Sequence, residues 1–164
     1  MNELYEKGIQ KDGNLEWKWK GIVHYGGTHG MVPIVYMMLR AVEIIGAKNF
    51  KSRIVKALKE TVSQLAKIQL NSGNFPASSK TKEVDEHVYF CQGSTAAVLM
   101  FLEAYKQFRE HQFKVAAFGC GESVWHRGLV LTGNGLCHGI TGNTYPLMQL
   151  ASYKNDNKWK IRAH

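Results

Sequence analysis

Two kinds of helical pattern alternate along this chain, and that alternation limits the folds open to it more than any single motif does. From Lys51 to Leu70 the apolar residues Ile54, Leu58, Val62, Leu65 and Ile68 recur at three- and four-residue steps with polar residues between them. Such a helix is dry on one face and wet on the other. From Ser94 to Glu110 the unbroken run Ala96 to Leu102 is apolar on every face, so that helix needs neighbours all round. Met31 to Ile45 has the same enclosed character, and Ile140 to Tyr153 shares it in part, with Leu147, Met148 and Leu150 as its core. Phe113 to Leu131 reads as a second outer helix, in which Gly119, Gly121 and Gly128 each cost up to about 1 kcal/mol against alanine and so mark close helix contacts. Strand alternation is hard to find. The pattern predicts an all-α fold of stacked helical hairpins with inner and outer helices.

A short motif recurs where each enclosed helix begins: Thr28, His29, Gly30, then Cys91, Gln92, Gly93, then Cys137, His138, Gly139. Each glycine supplies a tight turn into the helix that a β-carbon would obstruct. The motifs therefore fall at helix N-termini on one end of the array, where unpaired amides and positive dipole ends favour an anion or a thiolate. Residues 71–79 are turn-rich and form the loop leading to Cys91, and Met1 to Gly27 carry little periodicity. Lys158 to His164 begins a further outer helix. The expectation is one domain over 1–164, an incomplete part of a larger helical array, an open arc with apolar edges.

Composition narrows the function classes. With 164 residues, 45% of them apolar and 21% charged, the chain is long enough and apolar enough to bury a core, which rules out disorder as the default. The longest apolar stretch, Met31 to Leu39, is stopped by Arg40 and Glu43 far short of the ~20 residues a bilayer needs. The first residues, Met1 to Glu6, do not read as a signal peptide, and three cysteines make an odd number for disulfides. Both features predict a reducing compartment, the cytoplasm. The net charge of +8 invites a nucleic-acid reading, but Lys51, Arg53, Lys56, Lys59 and Lys67 are interspersed along one helix with Glu60 among them, and no like-charge run appears. A solvated helix face explains them, and no nucleic acid is expected as a partner. A small anionic substrate suits the balance better.

The residue types at the inner-helix entrances are the informative ones. Cys91, Cys137 and His138 offer two soft thiolates and an imidazole, a set suited to tetrahedral Zn²⁺ with one open position. The alternative is two buried thiols and a capping histidine. His29 reads as a helix-entry histidine bonded to backbone. Cys120 lies within an outer helix and is expected to pack. Asp85 and Glu86 read as solvated loop carboxylates, Arg127 and Glu122 as ties between outer and inner helices, and His24, His87, His111 and His126 as surface or capping residues.

The string from Cys120 to Asn143, CGESVWHRGLVLTGNGLCHGITGN, resembles the signature of the lanthionine synthetase C-like (LanC-like) family. Ser72 to Ser79 (SGNFPASS), Asp85 and the run Phe90 to Gly93 resemble its preceding block, and Gly26 to Gly30 resembles its earlier His-Gly block. The resemblance runs from about Trp17 to the end and is nearest the eukaryotic branch, as the later part of a family member. It implies an α/α toroid with zinc at the mouth of the inner ring, Cys91, Cys137 and His138 as metal ligands, and His29 as the proton-transfer residue. It also implies a zinc-dependent addition of a thiol, glutathione or a peptide cysteine, to dehydroalanine or dehydrobutyrine in a protein or peptide, giving a thioether. Peripheral membrane association is implied by the resemblance alone. The alternative within the family is a non-catalytic scaffold that binds zinc and glutathione. It is favoured by departures from the pattern: Gln92 stands where relatives often have histidine and Phe90 where they often have tryptophan, while Pro33 and Ala96 replace glycines. An α/α-toroid glycosidase needs two carboxylates at the inner mouths, and only Asp85 and Glu86 lie near one.

Overall fold

The structure, a computed structural model, describes residues 1–154 and 156–163. The described residues form α1 (Asn2–Gly8), α2 (Met31–Ile45), a 3-10 turn (Ala47–Asn49), α3 (Ser52–Lys67), α4 (Ser94–Phe108), α5 (His111–Arg127), α6 (Ile140–Lys154) and α7 (Asn157–Ala163). Extended pairing among them is confined to isolated bridges, Ile9 with Leu15, Trp19 with Ile22 and His24 with Ser78. The fold is all-α, as the periodicity predicts.

The enclosed helix is α4. It buries every residue from Ser94 to Ala104 except Leu99, with α5 behind it and α2 and α6 beside it. Its hairpin with α5 turns on Arg109, which sits in the left-handed region at φ 57° and donates its amide to the Tyr105 carbonyl. The amphipathic α3 buries the expected stripe of Ile54, Leu58, Val62 and Leu65, and adds Thr61. That hydroxyl accepts the Leu15 amide at 2.8 Å while donating to the Ala57 carbonyl, which pins the irregular N-terminal segment onto α3.

Several sequence expectations are corrected. The first residues are not wholly irregular: α1 forms, buries Tyr5, and lets the Trp17 indole lie where a β-carbon on Gly8 would stand. α2 is not enclosed. Its cover comes from α3 and α4, which bury Val35, Met38, Leu39 and Val42 but leave Met37 and Ile44 61% and 73% exposed. In α6, Leu147 and Leu150 are core, whereas Met148 is half exposed. α5 ends at Arg127 and not near Leu131, because Gly128 closes the helix by donating to the Val124 carbonyl at 2.7 Å. Leu129 and Leu131 consequently stand in solvent.

The glycines within α5 do what their cost implies. Gly121 admits Leu150 of α6 and the buried ring of Trp159 on α7, and the Gly119 carbonyl lies against Gly73, whose φ of 82° few other residues adopt. Around the N-termini of α2 and α4 the irregular segments meet. Tyr25 donates its amide to the Ala77 carbonyl and Ser79 to that of Val23, so the loop before α2 and the loop before α4 run together at one end of the array.

Candidate metal centre

Cys91 reaches this end on a loop fixed by two buried asparagines. Asn74, 1% exposed, donates its amide to the Asp85 carboxylate at 2.8 Å and the His87 carbonyl at 3.0 Å, and its Oδ1 accepts the first amide of α4, from Ser94, at 2.9 Å. Asn143 of α6 donates to the carbonyls of Val88 at 2.8 Å and Gly128 at 3.0 Å and accepts the Thr95 hydroxyl at 2.8 Å. Every polar atom of these two amides that can bridge does so, which is what a buried amide requires. Gly93, at φ 98°, turns the chain into α4 with the His87 carbonyl where a β-carbon would be.

Cys137 and His138 arrive on a loop of different character. Every residue from 131 to 138 is exposed, and the loop is folded by backbone and one hydroxyl. Ile140 donates to the Gly133 carbonyl at 3.0 Å, the Thr132 hydroxyl donates to the His138 carbonyl, and Gly139 presses against Gly133 and Gly135 where no side chain fits. A backbone bond stitches the two loops, from the Cys91 amide to the Cys137 carbonyl at 3.0 Å.

That stitch brings three donors together: one ligand atom each from Cys91, Cys137 and His138, all within 4.8 Å of one another. Cys91 is half-buried and the other two are exposed. Burial pushes the Cys91 thiol up to about 11, with the hydrogen bond and charge of Cys137 adding to the effect. Two thiols so close repel each other's anionic forms, and a cation between them removes that penalty. Tyr89 sets its ring edge toward His138 at 6.3 Å and stacks on His87.

His29 is not among these donors. It is exposed on the turn before α2 and stacks on Trp19 at 5.2 Å. The turn itself abuts the metal loop: Gly26 and Gly27 lie so close to the carbonyls of Cys91 and Phe90 that a β-carbon on either would collide. The expected row of free amides at the helix mouths is not found at the first position of any inner helix. Met31 donates to the His24 carbonyl, Ser94 to Asn74 and Ile140 to Gly133, so the chain satisfies these donors itself.

Asp85 is an exposed loop carboxylate, as expected from the sequence, but it is not without partners. Arg127 forms an ion pair with it and donates to its carbonyl and to that of Glu86, so this arginine ties α5 to the loop and not to an inner helix. Burial alone would raise the Asp85 pKa, but hydrogen bonds from Ser72, Arg127 and Asn74, with the arginine's charge, hold it below the usual range. Glu122 pairs with Lys158 at 2.7 Å and Arg162 at 2.8 Å, joining α5 to α7. Cys120 is fully buried, with Gln69 donating to its sulfur. Sequence reasoning missed Asn74, Asn143 and Thr95. The available signal was an asparagine inside a glycine-bearing turn and another early in a helix that otherwise packs.

A profile described as lanthionine synthetase C-like protein matches residues 2–164. The chain belongs to the lanthionine synthetase C-like family. Among curated relatives, the glutathione S-transferase LANCL1 of Danio rerio is 31% identical over 156 residues, which is 94% of this chain and 37% of that protein. The LanC-like protein GCL1 of Arabidopsis thaliana is 28% identical over 151 residues, 91% of this chain and 33% of that protein. This LanC-like chain thus spans about a third of the length of the relatives it matches. The all-helical architecture is consistent with the family's α/α toroid. No described helix of this LanC-like chain is long and apolar enough to cross a membrane.

Proposed function

We propose that Cys91, Cys137 and His138 hold one Zn²⁺ ion and that, in a longer LanC-like protein of which this is one domain segment, the site activates a thiol for addition to dehydroamino acids. The observation that carries the reading is the convergence of two sulfurs and an imidazole within 4.8 Å. The donor set fits: zinc takes sulfur at ~2.3 Å and histidine nitrogen at ~2.0–2.1 Å, so a modest contraction of an exposed loop closes the site. Three protein ligands leave one position for a substrate.

Held by Cys91, Cys137 and His138, a zinc ion would supply Lewis acidity, favouring the thiolate form of an incoming thiol of ordinary pKa ~8.5. The thiol class we infer is glutathione, from the name of the Danio rerio relative and from the +8 charge of the chain, which suits an anionic tripeptide. Sulfur adds to the β-carbon of dehydroalanine or dehydrobutyrine, the π electrons move to the α-carbon, and a proton there completes the thioether. His29, on the turn packed against the metal loop, is the proposed proton donor, oriented by its stacking on Trp19. The proposed compartment is the cytoplasm, whose reducing conditions keep the three cysteines as thiols.

The second reading, a zinc- and glutathione-binding scaffold without turnover, is favoured by Gln92 at a motif position and by the stacking that occupies one face of His29. Two measurements separate the outcomes. Elemental analysis of the purified chain should give one zinc per chain, lost in Cys137→Ala. Mass spectrometry of a dehydroalanine peptide incubated with glutathione and the zinc-loaded full-length protein should show the thioether adduct, with the rate falling in His29→Asn. Zinc without adduct selects the scaffold, and no zinc removes both readings.

A further inference from the structure

We infer that Cys91 and Cys137 are also a reversible oxidation site, closing to an intramolecular disulfide under peroxide when no metal holds them apart. This rests on the pairing of the two thiols and only in part on the zinc reading. The Cys91 amide donates directly to the Cys137 carbonyl at 3.0 Å. That bond holds the two backbones side by side at the cysteines, the close approach that a disulfide requires. Their sulfurs are already no more than 4.8 Å apart.

The two sides differ in a way that suits the chemistry. Cys91 is half-buried on the anchored loop, with Gly26 pressed against its carbonyl, so its backbone is fixed. Cys137 is exposed on a loop whose residues 131–138 are all in solvent, so it can meet the oxidant and move toward its partner. The third thiol cannot compete, since Cys120 is wholly buried within α5 and held by Gln69.

The reaction balances in two steps. The Cys137 sulfur attacks the O–O bond of hydrogen peroxide, giving a sulfenic acid and water. The Cys91 sulfur then displaces the sulfenic oxygen as a second water. Two thiols and one peroxide become one disulfide and two waters, the two electrons passing from sulfur to oxygen. Two equivalents of a small thiol reverse it, leaving that thiol's disulfide. Oxidation would remove both sulfur ligands at once, and a bound metal ion would protect them.

The test treats this chain with hydrogen peroxide, with and without prior zinc loading. Expected without zinc is a fall from three free thiols to one, a mass loss of two hydrogens, and a linked peptide containing Cys91 and Cys137, all undone by dithiothreitol. Cys120→Ser should leave the cross-link unchanged, and Cys91→Ser should leave a sulfenic acid on Cys137 that a dimedone probe traps. Zinc loading should slow the cross-link at least tenfold, with chelator dye reporting metal release in step with it. Higher oxides on Cys137 beside a free Cys91, cross-linking through Cys120, or dimers between chains would overturn the inference. A cross-link in a chain that takes up no zinc defeats the metal reading and leaves this one standing, whereas zinc binding without any cross-link after chelation does the reverse.

Discussion

The loop that delivers Cys91 is anchored by side chains, and the loop that delivers Cys137 and His138 is anchored by its own backbone. In the first, Asn74, Asn143 and the Asp85–Arg127 pair link residues 74–94 to three helices. In the second, glycines at 133, 135 and 139 and a single hydroxyl shape ten residues that lend almost nothing to the core. The contrast shows a division of labour in one site: half is set by folding, and half is left for the ligand it receives to order. If the site holds the proposed metal, the preorganised side would give affinity and the exposed one adjustability.

The largest effect that could break this picture is loss of the metal itself. Cys137→Ala and Cys91→Ala should each reduce bound zinc from about one per chain to near zero by elemental analysis, yet only Cys91→Ala should perturb the melt, because only Cys91 lies on anchored chain. If both leave the metal bound, the two loops do not share a site.

Next comes the anchor. Asn74→Ala orphans the Ser94 amide and the His87 carbonyl, and should cost on the order of 1–3 kcal/mol per buried group in urea unfolding. The same change should weaken zinc binding by about 10–100-fold, the usual effect of an outer partner, by letting Cys91 drift. Thr132→Val, its counterpart on the exposed loop, should leave the unfolding midpoint within about 0.5 kcal/mol of the parent.

Hydrogen exchange sharpens the comparison without a mutation. Amides of residues 129–138 should exchange rapidly in metal-free protein and slow on zinc addition, while those of 88–94 should be protected in both states. Equal protection of the two loops in the metal-free protein would contradict the division.

The smallest effect is one of pH. Asp85 has a folded pKa below its unfolded value, so its pairing with Arg127 and Asn74 contributes in full above the unfolded carboxylate pKa of ~3.9 and is lost as pH falls through the lower folded value. Asp85→Asn should therefore flatten the stability profile below about pH 4 and leave its upper limb unchanged, as read from thermal melts across pH.

How much of this was legible in the sequence varies with the range of the contact. The amphipathic stripe of α3, the all-round apolar α4 and the glycines of α5 are local signals, and the structure has the first two as periodicity implies. That Cys91, Cys137 and His138 stand at helix mouths was also legible, because cysteine and histidine before a glycine repeat there. The exposure of Asp85 was legible but its pairing was not, since its partner Arg127 lies 42 residues away and no local pattern marks an ion pair of that span. The first amides at the helix mouths were misread for a different reason: the turns leading into the helices fold back on themselves, so that the His24 and Gly133 carbonyls and the Asn74 side chain accept them.

What the sequence determined by itself was therefore a set of helices, their wet and dry faces, and the chemical types waiting at their ends. Those follow from 3.6-residue periodicity and side-chain chemistry, which are properties of neighbours along the chain. Only the tertiary structure decided that the two sulfurs and the imidazole meet, that one loop is held and the other free, and which carboxylate is taken. Those depend on backbone groups far apart in sequence finding one another once the helices have packed, and packing geometry is a property of the whole molecule.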